Sequence, residues 1–249
     1  MKTEESNFKR FGLVGRKIGY SFSPAYFQEK FSIEKIDASY KIFELNQIQQ
    51  FPQLFLTKNL AGLNITTPYK EEIMIFMDSL SPEAKAIGAV NTVKFKGDHL
   101  IGHNTDYIGF KNSLEPLLKE KHTKALILGT GGATKAVKYA LELLNIEFNM
   151  VSRESKKADF TYNDLSPEII EDHSIIINAT PLGTFPNVDQ APNIPYDGIT
   201  NRHLAYDLVY NPEKSLFLTK AEAQEAQIKN GYEMLKIQAD ESWKIWNSK

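Results

Sequence analysis

The sequence predicts an α/β protein built as two lobes, and three observations carry that expectation. Strand-like stretches alternate with helix-like ones along the chain. The stretch ALILGTGGATKAVKYALELL, residues 125–144, passes from apolar strand through glycines into a long helix. The pattern stops and restarts around 103–106, which marks a boundary between two α/β runs. Strand, glycine turn, helix and further strand make a βαβ unit, right-handed by default.

The elements follow in order. RFGLVG is a short apolar strand ended by glycine. Pro24 suits the first turn of a helix, so SPAYFQEKF is helical. SYKIFEL alternates as a strand does, and NQIQQFPQLFL is a helix opened by Asn46. LAGLNITT is a strand stopped at Pro68. YKEEIMIFMDSL is a helix with Ile73, Phe76 and Met77 on one face. AVNTVKFKGDHLIGHN is a hairpin turning at Lys96-Gly97-Asp98. TDYIGFKNSLEPLLKEKH is an amphipathic helix that Pro116 bends or breaks. ALILG, EFNMVSR, SIIINAT and HLAYDLVY are strands, NDLSPEIIEDH is a short helix or turn, and GYEMLKIQADESWKIWNSK is a closing helix.

Composition narrows the function. Of 249 residues, 42% are hydrophobic and 24% charged, as in ordinary globular proteins. A formal net charge of −2 gives no bulk electrostatic case for nucleic acid or an anionic membrane. The absence of cysteine excludes disulfides, thiolate metal sites and a cysteine nucleophile. The first residues carry no apolar signal-peptide core and no apolar run is long enough to span a bilayer, so a cytoplasmic protein is expected. His99 and His103 are four apart on an expected strand and make no convincing metal set; no metal is expected.

The glycine turn Gly129-Thr130-Gly131-Gly132-Ala133 lets backbone approach a pyrophosphate, and the helix start adds N–H donors. A tight strand–helix connection would read the same way. About 20 residues on, where an NAD site places a carboxylate, stand Ser152 and Arg153, then Lys156 and Lys157. A hydroxyl, a guanidinium and lysines suit a 2′-phosphate, so NADP is expected over NAD. Glu154 in the same loop would repel that phosphate or bind a ribose hydroxyl. Asn178 and Thr180 end a strand, where open α/β sheets bind ligands or where side chains simply cap a turn.

Chemistry-bearing residues cluster at other junctions. Asn64 and Thr66 share a face of an extended segment. Lys70 is expected in a first helical turn, where the helix dipole would lower its pKa and fit it for acid–base work; a surface lysine is the plainer reading. Asp106 opens a helix, as an N-cap or as a functional acid. Ser21 and Ser23 bind a carboxylate or cap the Pro24 helix. Asn91 is a further polar candidate. Gln238 shares an apolar face with Met234 and Leu235 and must find hydrogen-bond partners.

Taken in order, IGYSFSP, NITTPYK, GAVNT, NTDYIG, GTGGA, INATPLG, DLVYNP and NGYEMLKIQADESW resemble the shikimate dehydrogenase family over nearly the whole chain. The resemblance implies an N-terminal substrate lobe, residues 1–103 completed by 231–249, and a Rossmann-like NADP lobe, 104–230. The C-terminal helix would return to the substrate lobe after a crossing near Asn230. It implies reversible, NADP-dependent reduction of 3-dehydroshikimate to shikimate in chorismate and aromatic amino-acid biosynthesis, by a monomer or homodimer. Lys70 and Asp106 would be the catalytic pair, and Ser21 and Ser23 would hold the substrate carboxylate. Asn64, Thr66, Asn91, Tyr210 and Gln238 would complete its pocket. Gly129, Thr130, Gly131, Gly132 and Ala133 would take the pyrophosphate, with Asn178 and Thr180 nearby. Ser152, Arg153 and Lys157 would surround the adenosine phosphate, and Leu208 and Gly231 would lie near the nicotinamide. Ser152-Arg153-Glu154 stands where the family usually has Asn-Arg-Thr, and Tyr20 where it has His. An NAD-preferring quinate/shikimate dehydrogenase and a non-catalytic ligand sensor on the same scaffold are the alternatives.

Overall fold

The structure, a computed structural model, describes residues 8–19 and 21–248, so Tyr20 lies outside the described residues. The chain divides into two compact units, one reaching to Thr105 and taking in the residues from Ala239 onward, the other running from Asp106 to Gln238.

The first unit holds strands β1 (Lys9–Gly15), β2 (Ala38–Glu44), β3 (Leu60–Ile65), β4 (Ser79–Leu80), β5 (Thr92–Lys96) and β6 (His99–His103), in the order β2-β1-β3-β5-β6-β4. β1 pairs parallel with β2 and β3, while β5 runs antiparallel to β3 and β6. The β5–β6 hairpin turns at Gly97 and Asp98, as the sequence predicts. Helix α1 (Ser23–Ile33) packs on one face with Phe27 and Phe31 beside Phe11, Tyr40 and Trp246. The other face carries Val14, Phe51, Leu63, Ile65, Ile73 and Val93. Each such side chain taken fully out of water contributes roughly 1.5–3 kcal/mol.

Two expected helices take another form. Residues Ile48–Leu56 form a 3₁₀ helix containing Pro52, which has no N–H for an α-helical bond and clashes with the carbonyl four residues back. Gln47, rather than Asn46, opens it, through reciprocal hydrogen bonds with Gln50. The stretch after Tyr69 is likewise only a 3₁₀ turn, Glu72–Phe76, followed by β4. The Lys70 carbonyl, which an α-helix would offer to Met74, instead accepts from Val90 N–H at 2.7 Å; Met74 N–H turns to Glu71 at 3.2 Å. A helix unmarked in the sequence reading, α2 (Pro82–Ile87), follows, capped by Ser81 and ended by left-handed Gly88.

The second unit holds α3 (Asp106–Leu114), β7 (Lys124–Leu128), α4 (Thr134–Leu143), β8 (Glu147–Ser152), β9 (Phe160–Thr161), α5 (Pro167–Glu171), β10 (Ile175–Asn178), β11 (Leu204–Asp207), α6 (Leu216–Glu222) and β12 (Gln227–Lys229). Its strands are all parallel, in the order β12-β11-β10-β7-β8-β9. Read from β9, this is the 3-2-1-4-5-6 order of a dinucleotide-binding doubly wound sheet. Central strands carry near-continuous apolar runs because both faces are covered. Ile127, Ile175, Ile177 and Tyr206 face Phe110, Val137 and Leu141, while Leu126, Leu128, Ile176 and Ala205 face Ile170, Phe217 and Leu218. Pro116 lies in a 3₁₀ turn that ends α3.

The last helix, α7 (Tyr232–Asn247), spans the division between the units. The sequence reading starts the return at 231. In the structure Met234 packs in the core around Phe110, and residues join the first unit only from Ala239, which sits beside Phe11 and Trp246. No helix among the described residues is long and apolar enough to cross a membrane.

Candidate functional site

In the first unit Ser23, Asn64 and Asn91 join a buried polar network at the end of β3. Asn64, 5% exposed, lies opposite Leu13 on β1 and Thr92 on β5. Its Oδ1 accepts from the Tyr40 hydroxyl at 2.8 Å, and its Nδ2 donates to Ser242 Oγ at 2.9 Å and to Asn91 O and Thr92 Oγ1 at 3.2 Å. Tyr40 in turn is hydrogen-bonded to the Ser23 side chain. Burial pushes the Tyr40 phenol well above its ordinary pKa, with the Ser23 bond opposing, so the hydroxyl stays protonated and donates. Ser23 therefore does not cap α1, which has no side-chain cap; Phe22 holds the cap position. Ser21 is half-buried one residue earlier, its N–H donating to Ile18 O at 3.0 Å.

Asn91 ties this network to the end of the unit. Its Nδ2 donates to Thr105 Oγ1 at 2.9 Å, and its Oδ1 accepts from Thr105 N–H at 2.7 Å. Thr105 and Thr92 both approach Ser242 Oγ, at 3.2 and 2.8 Å. Lys70 is half-buried in the turn after β3, fixed through its carbonyl to Val90, the neighbour of Asn91. It thus lies in a turn before a five-residue 3₁₀ segment, and the expected α-helix terminus at Lys70 is absent. Thr66 follows Asn64 on the same face and is half-buried. Tyr40, Thr105 and Ser242, which complete the network, escaped the sequence reading because nothing local marks them.

In the second unit a cavity of about 650 Å³ opens at the C-terminal ends of β7, β8 and β10, where the strand order reverses. Gly129, Thr130 and Gly131 form one wall. Gly129 has φ +104°, and a Cβ there would stand 2.9 Å from Thr180 Cγ2. Gly132 faces open space, and Ala133 holds the cap position of α4 with no side-chain cap. Ser152, Arg153, Glu154, Lys157 and Tyr162 form a second wall. Burial raises the Tyr162 pKa, with the positive charge of Arg153 opposing. Ala179, Thr180, Pro181 and Leu182 form the third side, with Ala191 and Asn193. Tyr162, Ala191 and Asn193 carry no local sequence signal and went unread; Lys156 does not line this cavity.

Asn178 is fully buried behind that third side. Its Oδ1 accepts from Thr180 N–H at 3.0 Å and Thr180 Oγ1 at 2.6 Å, and its Nδ2 donates to Asp207 at 2.9 Å. It holds Thr180 and lines no wall itself. Asp207, also fully buried, accepts from Val209 N–H at 2.9 Å and from the Ser215 hydroxyl. Burial raises its pKa to about 6 against those hydrogen bonds. Leu208 and Gly231 meet: a Cβ on Gly231 would lie 2.3 Å from the Leu208 carbonyl oxygen, and Gly231 N–H donates to Val209 O at 3.1 Å. Tyr210 is half-buried just beyond. Asp106, 6% exposed, is the first residue of α3, one position inside the expected cap and following the anchored Thr105. Gln238, 8% exposed, donates to Leu235 O at 2.9 Å.

Comparison with known proteins agrees across the chain. The family model for the shikimate dehydrogenase substrate binding domain matches residues 13–93. The NADP(+) shikimate dehydrogenase of Clostridium botulinum is 37% identical over 94% of this chain and 95% of its own. The crystal structure of the Aquifex aeolicus shikimate dehydrogenase superposes with a TM-score of 0.86 at 31% identity, covering 98% of this chain and 94% of that one. The Thermus thermophilus enzyme, solved in complex with NADP(H) and shikimate, gives 0.86 at 29% identity, covering 96% and 93%. With these relatives matched over nearly its whole length, the chain belongs to the shikimate dehydrogenase family.

Proposed function

We propose that the protein catalyses the reversible, NADP-dependent reduction of 3-dehydroshikimate to shikimate, in chorismate and aromatic amino-acid biosynthesis. The observation that carries this reading is the placement of Ser152, Arg153 and Lys157 on the cavity that the Gly129 turn opens. The residues fit a dinucleotide: Gly129, at φ +104° and too near Thr180 for a Cβ, lines the cavity beside Gly131, and basic side chains stand on the adjoining wall. Gly129, Thr130 and Gly131 would hold the pyrophosphate, and Ser152, Arg153 and Lys157 the adenosine phosphate. Leu208 and Gly231 would border the nicotinamide, which when bound supplies or accepts the hydride.

The unit of residues 8–105 with 239–248 is read as the substrate-binding part. Ser21 and Ser23 would hold the substrate carboxylate. Thr66, Tyr210 and Gln238 would meet ring hydroxyls. Asn64 and Asn91, whose amides are largely engaged within the protein, would fix the pocket wall as well as touch the ring. Lys70 and Asp106 would move the proton at the reacting oxygen. The protein is read as cytoplasmic, a monomer or homodimer acting on a small molecule, without nucleic-acid or membrane partners.

The test is an assay of purified protein with shikimate and NADP, then with NAD, and with quinate as second substrate, followed by absorbance of the reduced nicotinamide. Turnover of shikimate with NADP supports the reading. Turnover confined to quinate, or dinucleotide binding without turnover, would overturn it.

A further inference from the structure

Two strands of the first unit grip the last helix at matched intervals. On β3, Asn64 Nδ2 donates to Ser242 Oγ at 2.9 Å, and Gly62 lies under Trp246, where a Cβ would stand 2.4 Å from the indole. On β5, Thr92 Oγ1 meets Ser242 Oγ at 2.8 Å, and the Val93 carbonyl accepts from Trp246 Nε1–H at 3.0 Å. Lys94 Nζ donates to the carbonyl and the hydroxyl of Ser248, each at 2.7 Å. Two residues of strand advance about 6.6 Å and four residues of helix about 6 Å, so Asn64 and Gly62 keep step with Ser242 and Trp246. Buried Trp246 and Lys94 thereby fix where on the sheet Ser242 comes to rest.

The donors around Ser242 give its hydroxyl a definite direction. Thr105 N–H, which can only donate, reaches Asn91 Oδ1 at 2.7 Å, so that amide is fixed with Nδ2 toward Thr105 Oγ1 at 2.9 Å. The Thr92 hydroxyl donates to the same Oδ1 at 3.0 Å, and its oxygen is then left to accept from Ser242. Ser242 in turn accepts from Asn64 Nδ2, while Asn64 Oδ1 takes the Tyr40 hydroxyl. One fully buried hydroxyl therefore orders both amides, accepting from Asn64 and acting on Asn91 through Thr92.

We propose that Ser242 is a positioning residue of the substrate pocket, holding the Asn64 and Asn91 amides in one orientation toward the ring hydroxyls, a role that rests on the substrate reading above. Being fully buried, it acts through the two asparagines and not on the substrate itself. Without its hydroxyl, Asn64 Nδ2 falls back on Asn91 O and Thr92 Oγ1, both at 3.2 Å, and Thr92 loses the donor that fixes its own direction. The amides then meet the ring in more than one orientation, which weakens substrate binding.

The experiment measures steady-state kinetics with shikimate and NADP, and denaturant unfolding, for wild type, Ser242→Ala and Lys94→Met. Ser242→Ala should raise KM for shikimate about three- to tenfold, as expected for one buried hydrogen bond, with kcat and KM for NADP within about twofold of wild type. Lys94→Met breaks the outermost clamp, about 9 Å along the helix from Ser242, and leaves the Ser242 hydroxyl in place. It should lower the denaturation midpoint while KM for shikimate stays near the wild-type value. An unmoved KM in Ser242→Ala would overturn the inference, and so would a fall in kcat alone, the mark of a smaller folded fraction. A KM in Lys94→Met rising as far as that of Ser242→Ala would also overturn it, since helix docking rather than the hydroxyl would then set the affinity. Any of these results with a wild type that turns over shikimate refutes the positioning role alone. A wild type that does not turn over shikimate refutes the proposed activity, and this role with it.

Discussion

Asn178 and Asp207 are direct neighbours across parallel strands β10 and β11, and the amide of the first donates to the carboxylate of the second at 2.9 Å with both side chains fully buried. From this bond one arm runs through Asn178 Oδ1 to Thr180 on the cavity wall, and the other through Asp207 to Val209, whose carbonyl holds Gly231. Asn178→Ala would take one hydrogen-bond partner from Thr180 and one from Asp207 at once, leaving Asp207 its bonds from Val209 and Ser215. The expected cost is about 1–3 kcal/mol of stability from the lost buried hydrogen bonds. KM for the dinucleotide should rise several-fold while KM for shikimate changes little. Denaturant unfolding and steady-state kinetics check both.

The raised pKa of Asp207 gives stability a definite pH dependence. Its carboxyl titrates at about 6 in the folded protein against 3.8 ordinarily, because burial outweighs its hydrogen bonds. A raised folded pKa means that the contribution is fully present below the unfolded value and is lost as pH rises through the folded one. Between pH 4 and about 6 the wild type should therefore lose stability relative to Asp207→Asn, on the order of 3 kcal/mol at most. Asp164, Glu168 and Asp172, whose pKa values are lowered by hydrogen bonds, push the other way. They are common to both proteins and cancel. Chemical unfolding of the two at several pH values measures the difference.

Gly231→Ala places a methyl group 2.3 Å from the Leu208 carbonyl oxygen, where backbone must move. Overpacking of this kind costs about 1–3 kcal/mol. Displacement of Leu208 should lower kcat with NADP more than it weakens adenosine 2′,5′-bisphosphate, which does not reach the nicotinamide end. Calorimetry and turnover separate the two effects.

Tyr40→Phe removes the hydroxyl that links Ser23 to Asn64. Asn64 Oδ1 loses a buried donor, at about 1–3 kcal/mol. KM for shikimate should rise, with KM for NADP nearly constant, since Tyr40 and Asn64 belong to the first unit. Parallel titration of both substrates reads the split.

What the sequence disclosed follows from how far apart the cooperating residues are. The glycine turn, the strands before and after it and the β5–β6 hairpin are local, so a few adjacent residues suffice to announce them. The 3₁₀ segment after Lys70 is not local: Val90 claims the Lys70 carbonyl from outside the segment, and helical periodicity gives no hint of that. The polar network is similarly opaque, since Asn64 meets Tyr40 24 residues before it and Ser242 178 residues after it. Helix α2 was within reach of local reasoning, because Ser81-Pro82 and Gly88 are start and stop signals six residues apart. Glu154 stood in the sequence as a conflict among cations, and only the structure gives it a partner in Lys157.

Lys70 is proposed to carry the proton in the reduction of 3-dehydroshikimate. The measurement that tests it most directly is steady-state kinetics of Lys70→Ala with shikimate and NADP, with calorimetric affinity for NADP measured on the same preparation. A fall in kcat of about 10²–10⁴-fold is expected, the usual contribution of a positioned acid–base group, with NADP affinity nearly unchanged. A normal kcat, with the loss confined to KM for shikimate, would contradict it.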